Sequence, residues 1–359
     1  MARRVVWIPA VTAVALLVFL LAMGGWDARY VTRVLWHRGS DVSDVEWKAH
    51  VAVAPAAPRP WPTGDCPVTD PPTGNAQSLV IVHGGRMVCQ WYGPDSGPER
   101  PAPAFSVSKT VLALLISRAV EDGELSGLDL SLGEAVPELT QRDPRFADIT
   151  LADLVDMRSG ITFSESVPFP WVNQDQAAVY YATDLRRTVV ERPQVTSTPG
   201  PFTYNDYAPN LTGLAYERTT GALVTDAPLE GLWRDLGAQD PVLWCVDDQG
   251  FPYHESGLVV TARDLARIGQ LVLDDGDDPF VARSLTPSGA ATTLGPIDVG
   301  YRNGWWVLPG GDLAAMGAHG QIMVVSPTTD TVVVRMGADE GPNIELATRL
   351  QALAHRFPT

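Results

Sequence analysis

The stretch Phe105-Ser106-Val107-Ser108-Lys109-Thr110 is followed by apolar residues that almost encircle a helix. This spacing predicts a core helix over 106–120. Ser106 and Lys109 are three residues apart, so their side chains lie on one face, one turn apart. Lysine is rare in this chain, because Lys48 is the only other lysine among 359 residues. The pair therefore predicts a functional site at the start of the helix.

A serine hydroxyl is a weak nucleophile that a neighbouring base must activate. A lysine can be that base only when its pKa falls well below about 10.4. Burial and the positive end of the helix dipole both disfavour the ammonium form of Lys109. The Ser106 N–H at the helix start can also stabilise an oxyanion. The pattern favours nucleophilic catalysis; the alternative is that Ser106 caps the helix and Lys109 extends to solvent.

The composition of the chain and the absence of several motifs exclude other classes of enzyme and of binding protein. The sequence contains no G-x-S-x-G, H-E-x-x-H, G-x-x-x-x-G-K-[ST] or G-x-G-x-x-G pattern, and no metal or organic cofactor is predicted. The net charge of −16 argues against nucleic acid as a partner, because few cations are available to neutralise phosphates. Cys66, Cys89 and Cys245 form no C-x-x-C pair; they allow one disulfide and one free thiol, with the pairing left open.

Strand-like runs lie at both ends of the body of the chain. The runs 78–82 and 86–91 flank His83-Gly84-Gly85, whose glycines suit a tight hairpin turn. Three more runs and a closing helix follow, at 304–308, 321–325, 331–335 and 343–356. We predict an α+β fold, an α/β sandwich in which an antiparallel sheet from N- and C-terminal strands is flanked by helices. The segment 105–285 is predicted as an all-helical insert.

The N-terminal part divides into two segments before the domain at 76–359. Residues 1–25 are predicted to be a membrane anchor or signal, because the uncharged stretch 5–23 nearly spans a bilayer core of about 30 Å. Residues 26–75 are predicted to be a juxtamembrane and Pro-rich stalk, in which the Pro-rich stretch 51–76 is either a stalk or extended chain laid on the domain surface. We expect a single-pass membrane protein with an extracytoplasmic domain, or a secreted protein if the signal is cleaved.

Several segments, in the right order, resemble the serine β-lactamase and penicillin-binding-protein superfamily over about 76–356. Within it, the chain resembles class C-like enzymes, esterase-type relatives and the 6-aminohexanoate-dimer hydrolase group. The matching segments are Ser106-x-x-Lys109, 154–160, 199–206, 256–269 and 317–321. The resemblance implies the β-lactamase/transpeptidase-like fold.

The resemblance also implies roles for the first two motifs. Ser106 would be acylated by the substrate, and Lys109 and Tyr204 would share the work of general base and acid. The alternative for Tyr204 is a surface aromatic in a turn. Asp206 stands where the family usually has Asn. A nearby anion raises a lysine pKa, so Asp206 is expected to weaken Lys109 as a base and to repel anionic substrates.

The third motif departs from the family pattern. It reads Ala318-His319-Gly320 and lacks the lysine that helps to hold the substrate carboxylate in β-lactamases. His319 either replaces that cation in part or fills the strand. Gly320 and Gln321 would start the oxyanion strand, with the Gln321 N–H as the second donor.

Three functions follow from these residues. The first is an exported or membrane-anchored serine hydrolase that forms an acyl-enzyme with small-molecule amides or esters or with short peptides. The second is a non-catalytic penicillin-binding-like protein that binds peptides or acts as a sensor. The third is a true β-lactamase or D-Ala-D-Ala carboxypeptidase, which the altered third motif disfavours.

Overall fold

The computed structural model describes residues 27–68, 74–166, 174–276, 278–286, 291–338 and 343–358, together with 12, 14–16, 18–19, 22–23 and 25. The strands are β1 (Ala49–Val53), β2 (Ala76–His83), β3 (Arg86–Tyr92), β4 (Ala102–Pro103), β5 (Val242–Val246), β6 (Leu258–Val260), β7 (Thr292–Leu294), β8 (Ile297–Arg302), β9 (Trp305–Val307), β10 (Leu313–Gly317), β11 (Gln321–Ser326) and β12 (Thr331–Gly337). The helices are α1 (Ala28–His37), α2 (Val107–Glu121), α3 (Leu132–Ala135), α4 (Pro137–Arg142), α5 (Leu151–Val155), α6 (Asp175–Tyr180), α7 (Leu185–Glu191), α8 (Tyr207–Thr220), α9 (Ala227–Asp235), α10 (Ala262–Asp274), α11 (Pro279–Leu285) and α12 (Asn343–Ala354).

The main sheet joins the two ends of the domain, as the sequence predicts. Its order is β3-β2-β12-β11-β10-β9-β8-β7. The N-terminal and C-terminal strands meet where β2 pairs antiparallel with β12. The β2–β3 hairpin turns at Gly84 and Gly85, which have φ values of 56° and 68°. The predicted α+β class with an antiparallel sheet is confirmed.

The helix α2 lies in the core, as its apolar sequence predicts. It packs against strands β10 and β11 of the main sheet on one side and against α8 and α9 on another. Nearly every residue from Val107 to Ile116 is buried. This packing holds the first turn of α2, with Ser106 and Lys109, next to the end of β10.

The insert between the two halves of the main sheet is not entirely helical. A second sheet has the order β1-β5-β6-β4, and two of its strands fall inside the segment predicted to be all-helical. The run Val242–Val246 is short, apolar and rich in β-prone residues. Periodicity alone cannot separate a buried strand from a buried helix in such a run, and the pairing partners decide it.

Residues 27–68, which we predicted as part of a juxtamembrane and Pro-rich stalk, pack on the domain. Strand β1 pairs along its whole length with β5. The buried Asp27 carboxylate accepts hydrogen bonds from the backbone N and the hydroxyl of Thr183, at 2.9 and 2.8 Å. Cys66 and Cys89 form a disulfide that ties this segment to β3. The segment 27–68 thus lies on the domain surface and contains helix α1 and strand β1.

The third cysteine takes no part in a disulfide. Cys245 is a free, buried cysteine of β5, and burial raises the pKa of its thiol to about 11.

The predicted anchor over 5–23 lies mostly outside the described residues. Within the described part of the chain, no helix is both long and apolar enough to cross a bilayer.

A close contact between α8 and the loop before β6 helps to position the site. The His254 ring is fully buried, and burial lowers the pKa of His254 to about 3. This ring lies directly over Gly213, in the middle of α8. A Cβ at Gly213 would be 2.2 Å from His254 Nε2 and 2.3 Å from its Cε1. Glycine at this position therefore allows the loop that carries Glu255 to approach α8.

We expect Gly213→Ala to lower the free energy of unfolding by about 2 kcal/mol, because the added methyl overpacks the contact with His254. The matched control is Gly231→Ala, which lies within α9 with only the end of the Arg234 side chain near its Cβ position. This control is expected to stabilise by about 0.5 to 1 kcal/mol through helix propensity. Denaturant unfolding measures both, and equal stability of the two variants would contradict the packing role of Gly213.

Candidate active site

Ser106 precedes α2 at the N-cap position, but its side chain does not cap the helix. Its Oγ instead accepts a hydrogen bond of 2.9 Å from Lys109 Nζ. The preceding residue, Phe105, has a positive φ of 47°, and such strained values in non-glycine residues cluster at functional sites. The Ser106 N–H has no hydrogen-bond partner among the described residues. Ser106 is therefore placed as a nucleophile and not as a helix cap.

Lys109 is buried and surrounded by acceptors. Its Nζ lies 2.8 Å from Asp206 Oδ1, and only 2% of the Lys109 side chain is exposed. It also donates a hydrogen bond of 3.1 Å to the backbone oxygen of Glu255. Burial alone would lower the pKa of Lys109, but the charge and hydrogen bond of Asp206, together with Tyr204, raise this pKa above its ordinary value. The resting site therefore holds Lys109 as an ammonium ion.

Tyr204 contacts Lys109 through the face of its ring. Lys109 Nζ is 4.8 Å from the ring centroid, a cation–π distance. The ring is stacked on Trp306, with centroids 5.4 Å apart. In the described part of the chain, the Tyr204 hydroxyl has no hydrogen-bond partner. Catalytic hydrogen bonds often form only when substrate is bound, and Tyr204 is already held beside the lysine.

The end of strand β10 lies against the nucleophile. A Cβ on Gly317 would be 2.2 Å from Ala104 O and 3.2 Å from Ser106 N, so glycine is required for this close approach. The next residue, Ala318, lines both cavities that open at Ser106. The backbone that faces the nucleophile is thus Gly317-Ala318, which precedes the pair Gly320-Gln321 that we predicted for this place.

The other predicted residues of the third motif have different neighbours. His319 Nε2 lies 3.0 Å from the backbone oxygen of Ser40 and 3.3 Å from its hydroxyl. Gly320 is buried in the turn between β10 and β11. Gln321 is fully buried, and its side-chain amide holds Gly337 at the end of β12 through hydrogen bonds of 2.7 and 3.0 Å. The oxyanion donor predicted here is the backbone N–H of Gln321, which starts β11 opposite Gly317 and is not among the residues that line the two cavities at Ser106.

Two cavities meet at Ser106. The larger, of 830 Å³, is lined by Ser106, Asp206 and Glu255 and by residues of the N-terminal segment. The smaller, of 350 Å³, is mostly apolar and is lined by Tyr204, Trp306, Leu294, Met316 and Ile344, among others. A substrate with its carbonyl group at Ser106 would therefore have one side in the cavity that contains Asp206 and Glu255 and the other side in the mostly apolar cavity.

Comparison with known proteins defines the family. The family profile described as beta-lactamase matches residues 75–356. The chain belongs to the β-lactamase family. With Ser106, Lys109 and Tyr204 placed together, it is a β-lactamase-fold serine hydrolase.

The chain is also similar to individual proteins in sequence or in structure. The 6-aminohexanoate-dimer hydrolase of Paenarthrobacter ureafaciens is 24% identical over 291 residues, covering 74% of this chain and 73% of the relative. A solved structure from Bacillus anthracis, provisionally assigned as a 6-aminohexanoate-dimer hydrolase, has a TM-score of 0.75 at 20% identity over 89% of this chain and 95% of that one. EstCE1, a hydrolase with promiscuous acyltransferase activity, has a TM-score of 0.62 at 18% identity over 79% of this chain and 93% of its own.

Sequence reasoning missed one acidic residue of this β-lactamase-family site. The Glu255 carboxylate is fully buried and accepts hydrogen bonds of 2.9 Å from Asn210 Nδ2 and from Ser256 Oγ. Burial and the charge of Asp206 raise the pKa of Glu255. A lone acid before Ser256 forms no recognisable pattern, so only its contacts reveal it. No group of three or more His, Cys, Asp or Glu side chains within the described ranges is placed to hold a metal ion.

Proposed function

We propose that this chain hydrolyses amide or ester bonds of small molecules or short peptides through an acyl-enzyme on Ser106. The observation that carries the proposal is the continuous contact from Ser106 Oγ to Lys109 Nζ, at 2.9 Å, and on to Asp206 Oδ1, at 2.8 Å. This places a nucleophile, its base and the group that orients the base in one line. The similarity to hydrolases within the family supports the same conclusion.

The proposed reaction has two halves. Neutral Lys109 takes the proton of Ser106 as Oγ bonds to the substrate carbonyl carbon, and the oxyanion accepts hydrogen bonds from the N–H groups of Ser106 and Ala318. The C–N or C–O bond then breaks, and Tyr204 gives a proton to the leaving group. Tyr204 then regains a proton from Lys109. Neutral Lys109 takes a proton from the water that attacks the acyl group, and this proton returns to Ser106 Oγ as the acid is released.

The third motif supports substrates other than β-lactams. Directly after β10 the chain reads Ala318-His319-Gly320, without the lysine of the third motif. A lysine there helps β-lactamases to hold the substrate carboxylate, as the family resemblance implies. We therefore propose simple amides and esters as the main substrate class, with β-lactam turnover slow by comparison.

An extracytoplasmic location is part of this proposal. Disulfides persist in oxidising compartments and are rare in the cytosol. The Cys66–Cys89 disulfide supports export, and the uncharged stretch 5–23 supports either anchoring or secretion.

The direct test is the intact mass of the full chain after exposure to a fluorophosphonate ester. We expect one adduct on the wild type, located at Ser106 by peptide mapping, because an activated serine attacks phosphorus as it attacks a carbonyl. Ser106→Ala is expected to take up no label, whereas Ser126→Ala, which changes an exposed serine away from both cavities, is expected to label like the wild type.

The other outcomes separate the two alternative functions. A wild type that takes no adduct would contradict the hydrolase proposal and favour a peptide-binding or sensor role. Rapid turnover of penicillin, with kcat/KM above that for simple esters, would instead identify a true β-lactamase. An adduct together with ester hydrolysis and slow penicillin turnover is the expected result.

A further inference from the structure

The N-terminal segment forms one wall of the catalytic cavity. The 830 Å³ cavity that contains Ser106, Asp206 and Glu255 is closed on the opposite side by residues 34–35 and 38–40. These residues precede the part of the chain that matches the family profile, which begins at residue 75. The wall is therefore a feature of this chain beyond the matched hydrolase domain.

This wall is held in place by polar contacts on both sides of the cavity. The Tyr181 hydroxyl donates a hydrogen bond of 2.5 Å to Gly39 O and accepts one of 3.1 Å from Gly39 N. Ser40 contacts His319 at 3.0 Å. On the same segment, Arg33 forms an ion pair of 2.6 Å with Asp248. The segment is thus fixed to the domain before substrate arrives.

Lys48 also holds the N-terminal segment on the domain. It is buried, and its Nζ donates a hydrogen bond of 3.0 Å to Tyr180 O. The Tyr180 and Tyr253 rings lie 3.4 and 4.1 Å from this ammonium group. Burial lowers the pKa of Lys48 to about 8, so the group is still mainly charged at pH 7.

Arg38 is an exposed, charged residue of this wall that lines the cavity. Among the described residues that line the cavity, it is the one lysine or arginine. Its guanidinium has no ion pair or hydrogen bond with any described residue. The two acids that line the same cavity are already engaged, since Asp206 is paired with Lys109 and Glu255 is hydrogen-bonded to Asn210. The charged side chain of this cavity that has no partner among the described residues is therefore the Arg38 guanidinium.

We propose that Arg38 binds a carboxylate group on the part of the substrate that occupies the larger cavity. A guanidinium offers paired N–H donors that match a carboxylate. Because Lys109 neutralises Asp206, the expected repulsion of anionic substrates is removed. The inference rests on the proposed hydrolase function, and it names carboxylate-bearing esters and amides as the preferred substrates.

The test compares three p-nitrophenyl esters with acyl chains of similar length that end in a carboxylate, a methyl ester or an ammonium group. We expect the wild type to prefer the carboxylate ester. Arg38→Gln is expected to lower the ratio of kcat/KM for the carboxylate ester to that for the methyl ester by about tenfold or more, because a hydrogen-bonded charge partner is lost. Arg38→Lys should retain part of the preference, and Arg100→Gln, at an exposed position away from both cavities, should retain all of it.

The outcomes separate this inference from the proposed function. A wild type that hydrolyses the esters but shows the same ratio as Arg38→Gln would overturn the role of Arg38 alone. A preference for the ammonium ester would also overturn it, and would assign the cavity to Asp206 and Glu255. A wild type that hydrolyses none of the three esters would overturn both the hydrolase function and the role of Arg38.

Discussion

Lys109→Met is expected to lower kcat/KM for a simple ester at least about 1000-fold, because it removes the one group among the described residues that contacts Ser106 Oγ and can, as the neutral amine, accept its proton. Ser106→Ala should cause a loss of at least the same size. Residues that act as one unit give non-additive losses. The double variant is therefore expected to be no slower than Ser106→Ala alone, as measured by steady-state hydrolysis of the ester.

Controls must separate lost catalysis from lost folding. Lys109→Met leaves the Asp206 carboxylate, whose side chain is only 14% exposed, without its cation, and an unpaired buried charge is destabilising. The variant Lys109→Met/Asp206→Asn removes both charges and should regain stability in thermal unfolding but not activity. Recovery of ester hydrolysis in this double variant would show that Lys109 is not the base.

Asp206→Asn is expected to move the acidic limb of the pH–rate profile to lower pH. In the wild type, Asp206 raises the pKa of Lys109, and kcat/KM should increase with pH as the neutral amine forms. Without the carboxylate charge, burial dominates and favours the neutral amine. The ratio of kcat/KM at pH 7 to that at pH 9 should therefore rise about tenfold or more.

Profiles of kcat/KM against pH for the two proteins measure this shift, with Asp95→Asn as a control at an exposed position. The absolute rate of Asp206→Asn also depends on how well the amide orients Lys109, so the decisive quantity is the shape of the profile. An unchanged shape with lower activity at every pH would indicate that Asp206 itself takes the proton through Lys109. That result would sink the role of neutral Lys109 as the base.

Local sequence patterns predicted the elements that position the nucleophile. The apolar run after Lys109 specifies a buried helix, and β-rich runs separated by turn residues specify antiparallel strands. Strands β1 and β5 of the second sheet were harder to predict, because almost two hundred residues of chain separate them and each is too short to show a clear period. Pro-rich composition likewise predicted either a stalk or extended chain on the domain surface, because contacts with distant residues such as Thr183 cannot be read from composition.

The sequence by itself determined which helix carries the nucleophile, which residues form β2, β3, β9, β11 and β12 of the main sheet, and which family motif is incomplete, because these depend on spacing within single segments; it did not reveal β7, β8 or β10. Only the tertiary structure decided that Lys109 is held as an ammonium ion, that Gly317-Ala318 faces Ser106, and that Arg38 lines the catalytic cavity. Each of these depends on contacts between distant parts of the chain, such as Ser40 with His319, 279 residues apart. The charge state, burial and accessibility of a side chain depend on all the segments packed around it and not on its own segment alone.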